Sequence, residues 1–213
     1  MKAPIPDLSL YCVLDANFCR TPEGMVKTAV AAAEGGATVV QLRAPEWKKG
    51  RQLQAALLLK KALAAKNIPL IIDDHVDIAL LADADGVHVG QEDIPPREVR
   101  KLIGPGKIIG LSIGSMEDLS SVDDSVDYLG IGPVFSTSTK KDARTAIGTE
   151  TLRKIFAAAS LPSVAIGGIN LGNIRSVMET GVGGAAVVSA ICAKEDPGAA
   201  AQELRKAISE VAR

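Results

Sequence analysis

Eight short apolar runs, each followed by a longer stretch of helical pattern, constrain this chain more than any other feature. The runs are Leu10–Asp15 (LYCVLD), Ala37–Arg43 (ATVVQLR), Pro69–Asp74 (PLIIDD), Gly86–Gly90 (GVHVG), Lys107–Ile113 (KIIGLSI), Tyr128–Val134 (YLGIGPV), Ser163–Ile169 (SVAIGGI) and Gly184–Ile191 (GAAVVSAI). They are rich in Val and Ile and apolar on both faces, the pattern of parallel strands covered on both sides. The helical stretches are Thr21–Gly36, Lys48–Asn67, a short Val76–Ala82, Pro96–Ile103, Glu117–Asp124, Thr149–Ala159, Gly172–Thr180 and Pro197–Ala212. Thr21-Pro22-Glu23 reads as an N-cap, a first-turn proline and a first-turn acid, and Gly35-Gly36 as a stop. Strand and helix alternating eight times spell a single-domain (β/α)8 TIM barrel spanning residues 1–213. A doubly wound open sheet is the competing arrangement, but eight equivalent units in 213 residues leave no room for a second domain.

The composition agrees. Hydrophobic residues make up 47% and aromatics only 3%, so the core must be built from Ala, Val, Ile and Leu. The net charge of -1 and the lack of a basic arm argue against a nucleic-acid partner. No segment is long enough to span a membrane, and the first twenty residues hold no signal-peptide core. Cys12 and Cys192 sit in apolar runs and Cys19 in the loop before the first helix, without metal-like spacing. They read as reduced thiols of a cytoplasmic protein. A homo-oligomer is compatible with the sequence.

In a barrel of this kind chemistry gathers at the C-terminal ends of the strands. Those ends carry Asp15, Gln41 and Arg43, Asp73 and Asp74, Gln91 to Asp93, Ser112, the hydroxyl run Ser136-Thr137-Ser138-Thr139 with Lys140 and Lys141, Gly167-Gly168, and Val188-Ser189. Asp74 and Asp93 end neighbouring strands. Two carboxylates with a substrate phosphate make a Mg²⁺ site, unless one of them caps the following helix or pairs with a lysine. Arg43 and Lys140 can neutralise phosphate charge, Thr137 and Thr139 offer hydroxyl donors, and Gly167-Gly168 lets backbone N–H groups approach an anion. Two anion-binding ends flanking an acidic pair suggest two phosphorylated substrates, one of them metal-bound. His88, inside the fourth run, reads as a hydrogen-bonded barrel residue. His75 lacks obvious partners for a zinc site.

These residues fall in blocks that resemble the thiamine phosphate synthase family over nearly the whole chain. The blocks are QLR at 41–43, DDHVD at 73–77, ADGVHVGQED at 84–93, GPVFSTSTKKD at 132–142, AIGGI at 165–169 and AVVSAI at 186–191. The resemblance implies coupling of hydroxymethylpyrimidine diphosphate with thiazole phosphate, giving thiamine phosphate and diphosphate. It implies Mg²⁺ on Asp74 and Asp93. It puts the pyrimidine diphosphate near Gln41, Arg43, Asp73, Ser112 and Lys140, and the thiazole phosphate near Thr137, Ser138, Thr139, Gly168, Val188 and Ser189. Lys140, Arg43 and Ser112 are the catalytic candidates it offers. The implied mechanism is dissociative: diphosphate leaves the pyrimidine methylene, the aminopyrimidine ring delocalises the cation, and the thiazole nitrogen attacks.

The chain departs from the family pattern at three points. Pro45 stands where a lysine is usual two residues after the arginine, Asp73 where an asparagine precedes the metal aspartate, and Gly114 where a histidine follows the strand-five serine. Lys48 or Lys49, behind Trp47 on the same loop, could supply the missing cation. Two other functions fit parts of the pattern. A thiazole tautomerase would not need the Asp74–Asp93 pair, and its histidine would fall at Gly114. A catalytically silent phosphate-binding barrel would tolerate Pro45 and Asp73.

Overall fold

A computed structural model describes residues 4–137 and 145–211. Eight strands form a closed parallel barrel in chain order, with β8 returning to pair with β1. They are β1 Leu10–Asp15, β2 Val39–Arg43, β3 Leu70–Asp73, β4 Gly86–Val89, β5 Ile108–Ile113, β6 Tyr128–Ile131, β7 Ser163–Ile166 and β8 Ala185–Val187. All neighbours pair in parallel, so every C-terminal end opens on one mouth.

The period of two along each strand sorts its side chains into two cores. Tyr11, Val13, Val39, Ile71, Ile108, Tyr128, Val164 and Ala186 pack together as the barrel lumen. Their neighbours, such as Leu10, Cys12, Leu14, Val40, Leu42, Val87, Leu129 and Val187, join the larger layer between barrel and helices. Residues in step with the lumen set, Asp15 on β1 and Gln41 and Arg43 on β2, therefore rise toward the mouth.

The helices that cover the barrel are α1 Ala16–Cys19, α2 Pro22–Glu34, α3 Lys49–Ala64, α4 Val76–Leu81, α5 Pro96–Ile103, α6 Gly148–Ala158, α7 Ile174–Met178, α8 Ser189–Cys192 and α9 Pro197–Val211. A 3₁₀ turn at Glu117–Ser121 takes the place of a full helix after β5. The α2 start is as the sequence suggests: Thr21 accepts from the Gly24 N–H at 3.0 Å with Pro22 next in line. At the opposite end of the barrel from the mouth, Arg100 on α5 binds the carbonyls of Gly104, Lys107 and Ser125. It also reaches Asp127 Oδ2 at 2.6 Å, and that oxygen accepts from the Ile109 N–H. This cluster fastens the starts of β5 and β6.

Two local expectations are corrected. The eighth run does not continue as strand to Ile191. Val188 leaves extended geometry at φ -111°, ψ -85°, and Ser189–Cys192 coils into α8. Cys19 is not in an open loop but ends α1, buried, with its thiol 3.7 Å from Thr28 Oγ1. Among the described residues no helix is long and apolar enough to cross a membrane.

Candidate active site

The acidic ends of β1 and β3 clasp the arginine of β2. Arg43 Nη1 lies 3.1 Å from Asp15 Oδ2, and Arg43 Nε lies 3.4 Å from Asp73 Oδ2. Asp15 is 1% exposed, and its other oxygen accepts the Asn17 N–H at 2.9 Å as the cap of α1. The trio fixes the guanidinium plane at the mouth, where it can meet an anion in bidentate fashion. With Asp73 in the place of an asparagine, the strand end presents an acceptor to Arg43 rather than an amide. Asp15 appeared in the sequence only as a strand end. Its place opposite Arg43 in the β1–β2 register makes it the arginine's anchor.

The next residue, Asp74, adopts a left-handed φ of 56°, and its N–H reaches across to the His88 carbonyl at 2.9 Å. Asp tolerates this region better than most side chains do. Asp93 sits in the turn after β4, where its Oδ2 accepts the Gly90 N–H at 2.8 Å. Asp93 does not cap the following helix, which starts from Pro95 without a side-chain cap bond; its oxygen closes the turn back to Gly90. Burial, reinforced by the charge of Lys49, holds the His75 imidazole below its ordinary range, while the carboxylates of Asp77 and Asp93 oppose that shift. The loops after β3 and β4 leave from adjacent paired strands, joined by the Asp74 N–H bond to the His88 carbonyl. No group of three or more His, Cys, Asp or Glu assembles to hold a metal among the described residues. Asp74 and Asp93 supply oxygen only, which suits a hard cation that keeps waters and takes substrate phosphate as further ligands. The donor set therefore fits Mg²⁺.

Beneath this rim runs a continuous line of hydrogen bonds through the lumen. Gln41 Nε2 donates to Tyr11 Oη at 2.9 Å, and Tyr11 Oη lies 2.9 Å from Tyr128 Oη. Tyr128 Oη is 2.9 Å from His88 Nδ1, and His88 Nε2 is 2.9 Å from Ser112 Oγ. The expected hydrogen-bonded role of His88 is borne out, and Gln41 and Ser112 prove to be the two ends of one network. Gln91 Nε2 binds the Ser112 carbonyl at 2.8 Å, steadying the same serine from the β4 loop. Gly114, in the place of the family's histidine, gives its N–H to Asp118 Oδ2 at 2.7 Å.

The anion side lies across the mouth. Gly167 and Gly168 take φ of 102° and 65°. A Cβ on Gly168 would stand 2.7 Å from Phe135 Cβ and from the Ser136 carbonyl, so only glycine lets the loops after β6 and β7 close on each other. Asn173 Nδ2 holds the Gly168 carbonyl at 3.0 Å. A cavity of about 460 Å³ opens here, lined by Ser136, Thr137, Gly168, Asn170, Ser189 and Lys194 among others. Val188 packs its side chain against the lumen cluster and leads directly into Ser189 at the cavity. Ser138, Thr139 and Lys140 lie outside the described residues.

On the β2–α3 loop, Gln52 Nε2 binds the Ala44 and Trp47 carbonyls at 3.0 and 2.8 Å, and Arg51 stacks 4.1 Å over the Trp47 ring. Lys49 Nζ meets Asp77 Oδ1 at 3.0 Å, beside the Asp74 loop, in an exposed pair. Lys48, also exposed, starts α3.

Comparison with known proteins agrees with this geometry. The family model described as "Thiamine monophosphate synthase" matches residues 10–191. The chain is 50% identical over 198 residues to the thiamine-phosphate synthase of Laribacter hongkongensis, covering 93% of this chain and 94% of that protein. It is 48% identical over 199 residues to that of Desulfitobacterium hafniense, covering 93% and 96%. The solved structure of thiamine phosphate pyrophosphorylase from Pyrococcus furiosus superposes with a TM-score of 0.86 at 40% identity, covering 96% of this chain and 97% of the other.

Proposed function

The chain belongs to the thiamine monophosphate synthase family, and we propose that the clasped Arg43, the Asp74–Asp93 pair and the glycine-lined cavity carry out that family's coupling in the manner derived below. The activity is that of a thiamine-phosphate synthase, a transferase that releases diphosphate. Hydroxymethylpyrimidine diphosphate and thiazole phosphate are joined to give thiamine phosphate.

The observation that carries the mechanism is the Asp15–Arg43–Asp73 clasp at the mouth, in which Asp73 is the chain neighbour of Asp74. Arg43 binds the diphosphate in a fixed plane. Ser112 and Gln41, ending the lumen network, hold the pyrimidine end, and Asp73 orients the arginine. Asp74 and Asp93 would hold Mg²⁺, which when bound supplies neutralisation of the leaving diphosphate's charge. Lys140 adds to that neutralisation. Thr137, Ser138, Thr139, Gly168, Val188 and Ser189 hold the thiazole phosphate and bring its ring nitrogen against the methylene. The bond from methylene to diphosphate oxygen breaks with its electrons leaving on oxygen. The nitrogen lone pair then forms the new bond, so no general base is required. Rate comes from orientation and from charge stabilisation aimed at the leaving group.

Gly114 favours this reading over a thiazole tautomerase, because a backbone N–H tied to Asp118 transfers no proton to substrate carbon. The three cysteines are free thiols, which supports a cytoplasmic location. The test is diphosphate release with both substrates and Mg²⁺. Release that needs both substrates is expected; none under any condition would leave a silent binding barrel.

A further inference from the structure

The network Gln41–Tyr11–Tyr128–His88–Ser112 has a direction, and the direction matters for recognition. Gln41 donates from Nε2 to Tyr11. A phenol has one proton, and Tyr128 is the acceptor left for that of Tyr11 among the described residues, so Tyr11 donates to Tyr128. Tyr128 in turn donates to His88 Nδ1. A neutral imidazole then carries its proton on Nε2, which donates to Ser112 Oγ. The serine proton is left for a group outside the chain. At the other end the Gln41 amide, with one N–H given to Tyr11, has its Oε1 as the atom for an incoming donor. Burial pushes both phenols well above their ordinary pKa, so each remains a neutral hydroxyl able to pass the pattern on.

The barrel is built around this line. His88, Gly110 and Tyr128 are consecutive register partners on β4, β5 and β6. A Cβ on Gly110 would stand 2.3 Å from Tyr128 Cζ and 2.4 Å from His88 Nδ1. A Cβ on Gly130 would stand 2.9 Å from His88 Cε1. Neither glycine has a positive φ, so their absent side chains serve space rather than conformation. Two strands give up a lumen side chain so that the tyrosine and the histidine can meet.

We propose that Tyr11, Tyr128 and His88 are positioning residues that make Gln41 an acceptor for the ring amino group of the pyrimidine and Ser112 a donor to its diphosphate. This deepens the proposed function and rests on it. A substrate with an amine at one end and an anion at the other matches the two ends of the line. A ring with a carbonyl in the place of the amine meets Oε1 acceptor to acceptor, and putting the amide nitrogen in that place takes a flip of Gln41 that reverses every bond in the line.

The test joins a spectroscopic and a binding measurement. Nitrogen NMR of the unliganded protein reads the tautomer of His88, assigned against His75 by the His75→Gln variant, since the chain has 2 histidines. The Nε2–H form is expected; the Nδ1–H form would overturn the proposal whatever the activity. Calorimetry with Mg²⁺ then compares the aminopyrimidine diphosphate with its oxo counterpart. Wild type should prefer the amine by about tenfold or more, because a site built for one hydrogen-bond pattern rejects its inverse. Tyr11→Phe and Tyr128→Phe should each bring the two ligands to within about threefold, since Gln41 is then free to turn. A merely structural role would weaken both ligands alike and leave the ratio standing. A ratio that persists in whichever variants fold would overturn the relay alone. Failure of wild type to bind either diphosphate would overturn the activity reading instead.

Discussion

Removing the arginine of the clasp should damage stability as well as activity, and in a way that a second substitution partly repairs. In Arg43→Ala, Asp15, 1% exposed in the wild type, keeps its cap bond from the Asn17 N–H but loses the guanidinium at 3.1 Å. Breaking a buried pair by deleting one partner costs about 3–5 kcal/mol, most of it the stranded charge. Arg43 itself is 17% exposed at the mouth. Water entering the vacated space will solvate Asp15 partly, bringing the cost to about 2–3 kcal/mol. For a chain of this size that is a fall in Tm of roughly 4–12 °C. Adding Asp15→Asn removes the stranded charge yet keeps a side-chain oxygen for Asn17, so the double variant should regain about 1 kcal/mol over Arg43→Ala. Neither should turn over at more than a trace, because the diphosphate has lost its planar partner. Thermal and denaturant unfolding of the two variants, beside diphosphate release, decide it. A double variant less stable than Arg43→Ala would show that the Asp15 charge is not what the arginine serves.

Asp93→Ala should abolish turnover at a stability cost of about 1 kcal/mol, that of the Gly90 N–H bond; full wild-type activity in EDTA would remove the metal assignment. Lys140→Ala should lower kcat more than it raises the thiazole KM, since leaving-group charge grows toward the transition state; a pure KM effect would move Lys140 to the other phosphate. Lys49 pairs with Asp77 beside the Asp74 loop, and the hypothesis is that Lys48 or Lys49 stands in for the lysine that Pro45 replaces. The Lys48→Ala/Lys49→Ala variant should therefore lose several-fold in kcat/KM for the pyrimidine diphosphate at fixed low ionic strength, and an unchanged value would take both lysines out of the site. Gly110→Ala should cost about 2–3 kcal/mol by forcing a methyl into Tyr128; a melt unshifted from wild type would mean the lumen is looser than it stands.

The barrel was legible because its strands are apolar on both faces and its helices on one, so hydrophobic period alone separates them. Strand beginnings fall close to the apolar onset, but the ends of the third, fourth, sixth, seventh and eighth runs overrun their strands. At the eighth run the apolar letters continue through Val188 and Ser189 into Ala190 and Ile191, which the structure coils into a buried turn of helix. Apolarity reports burial and not backbone shape, and a four-residue buried helix has the composition of a strand. Charged residues at the strand ends were legible for the same reason in reverse: nothing apolar competes with solvent and ligand at the mouth. Their partners were not. Which carboxylate meets Arg43 depends on the stagger between β1 and β2, and Tyr11 finds Tyr128 across 117 residues.

A stricter use of period two would still have found the lumen line. The chain has 2 tyrosines, and both lie on strands in a core otherwise nearly free of aromatic rings. Counting inward from Asp15 by twos reaches Val13 and then Tyr11. Counting inward from Ser112 reaches Gly110, which the register pairs with both His88 and Tyr128. A closed barrel encloses a fixed volume, so a large inward side chain must be matched by small ones on adjacent strands. Glycine inside an apolar strand, where a branched residue would otherwise be favoured, is therefore the mark of a large or polar neighbour across the register. KIIGLSI and YLGIG carry that mark. The two glycines that weaken β5 and β6 as strands are what admit a hydrogen-bonded line into an otherwise apolar lumen.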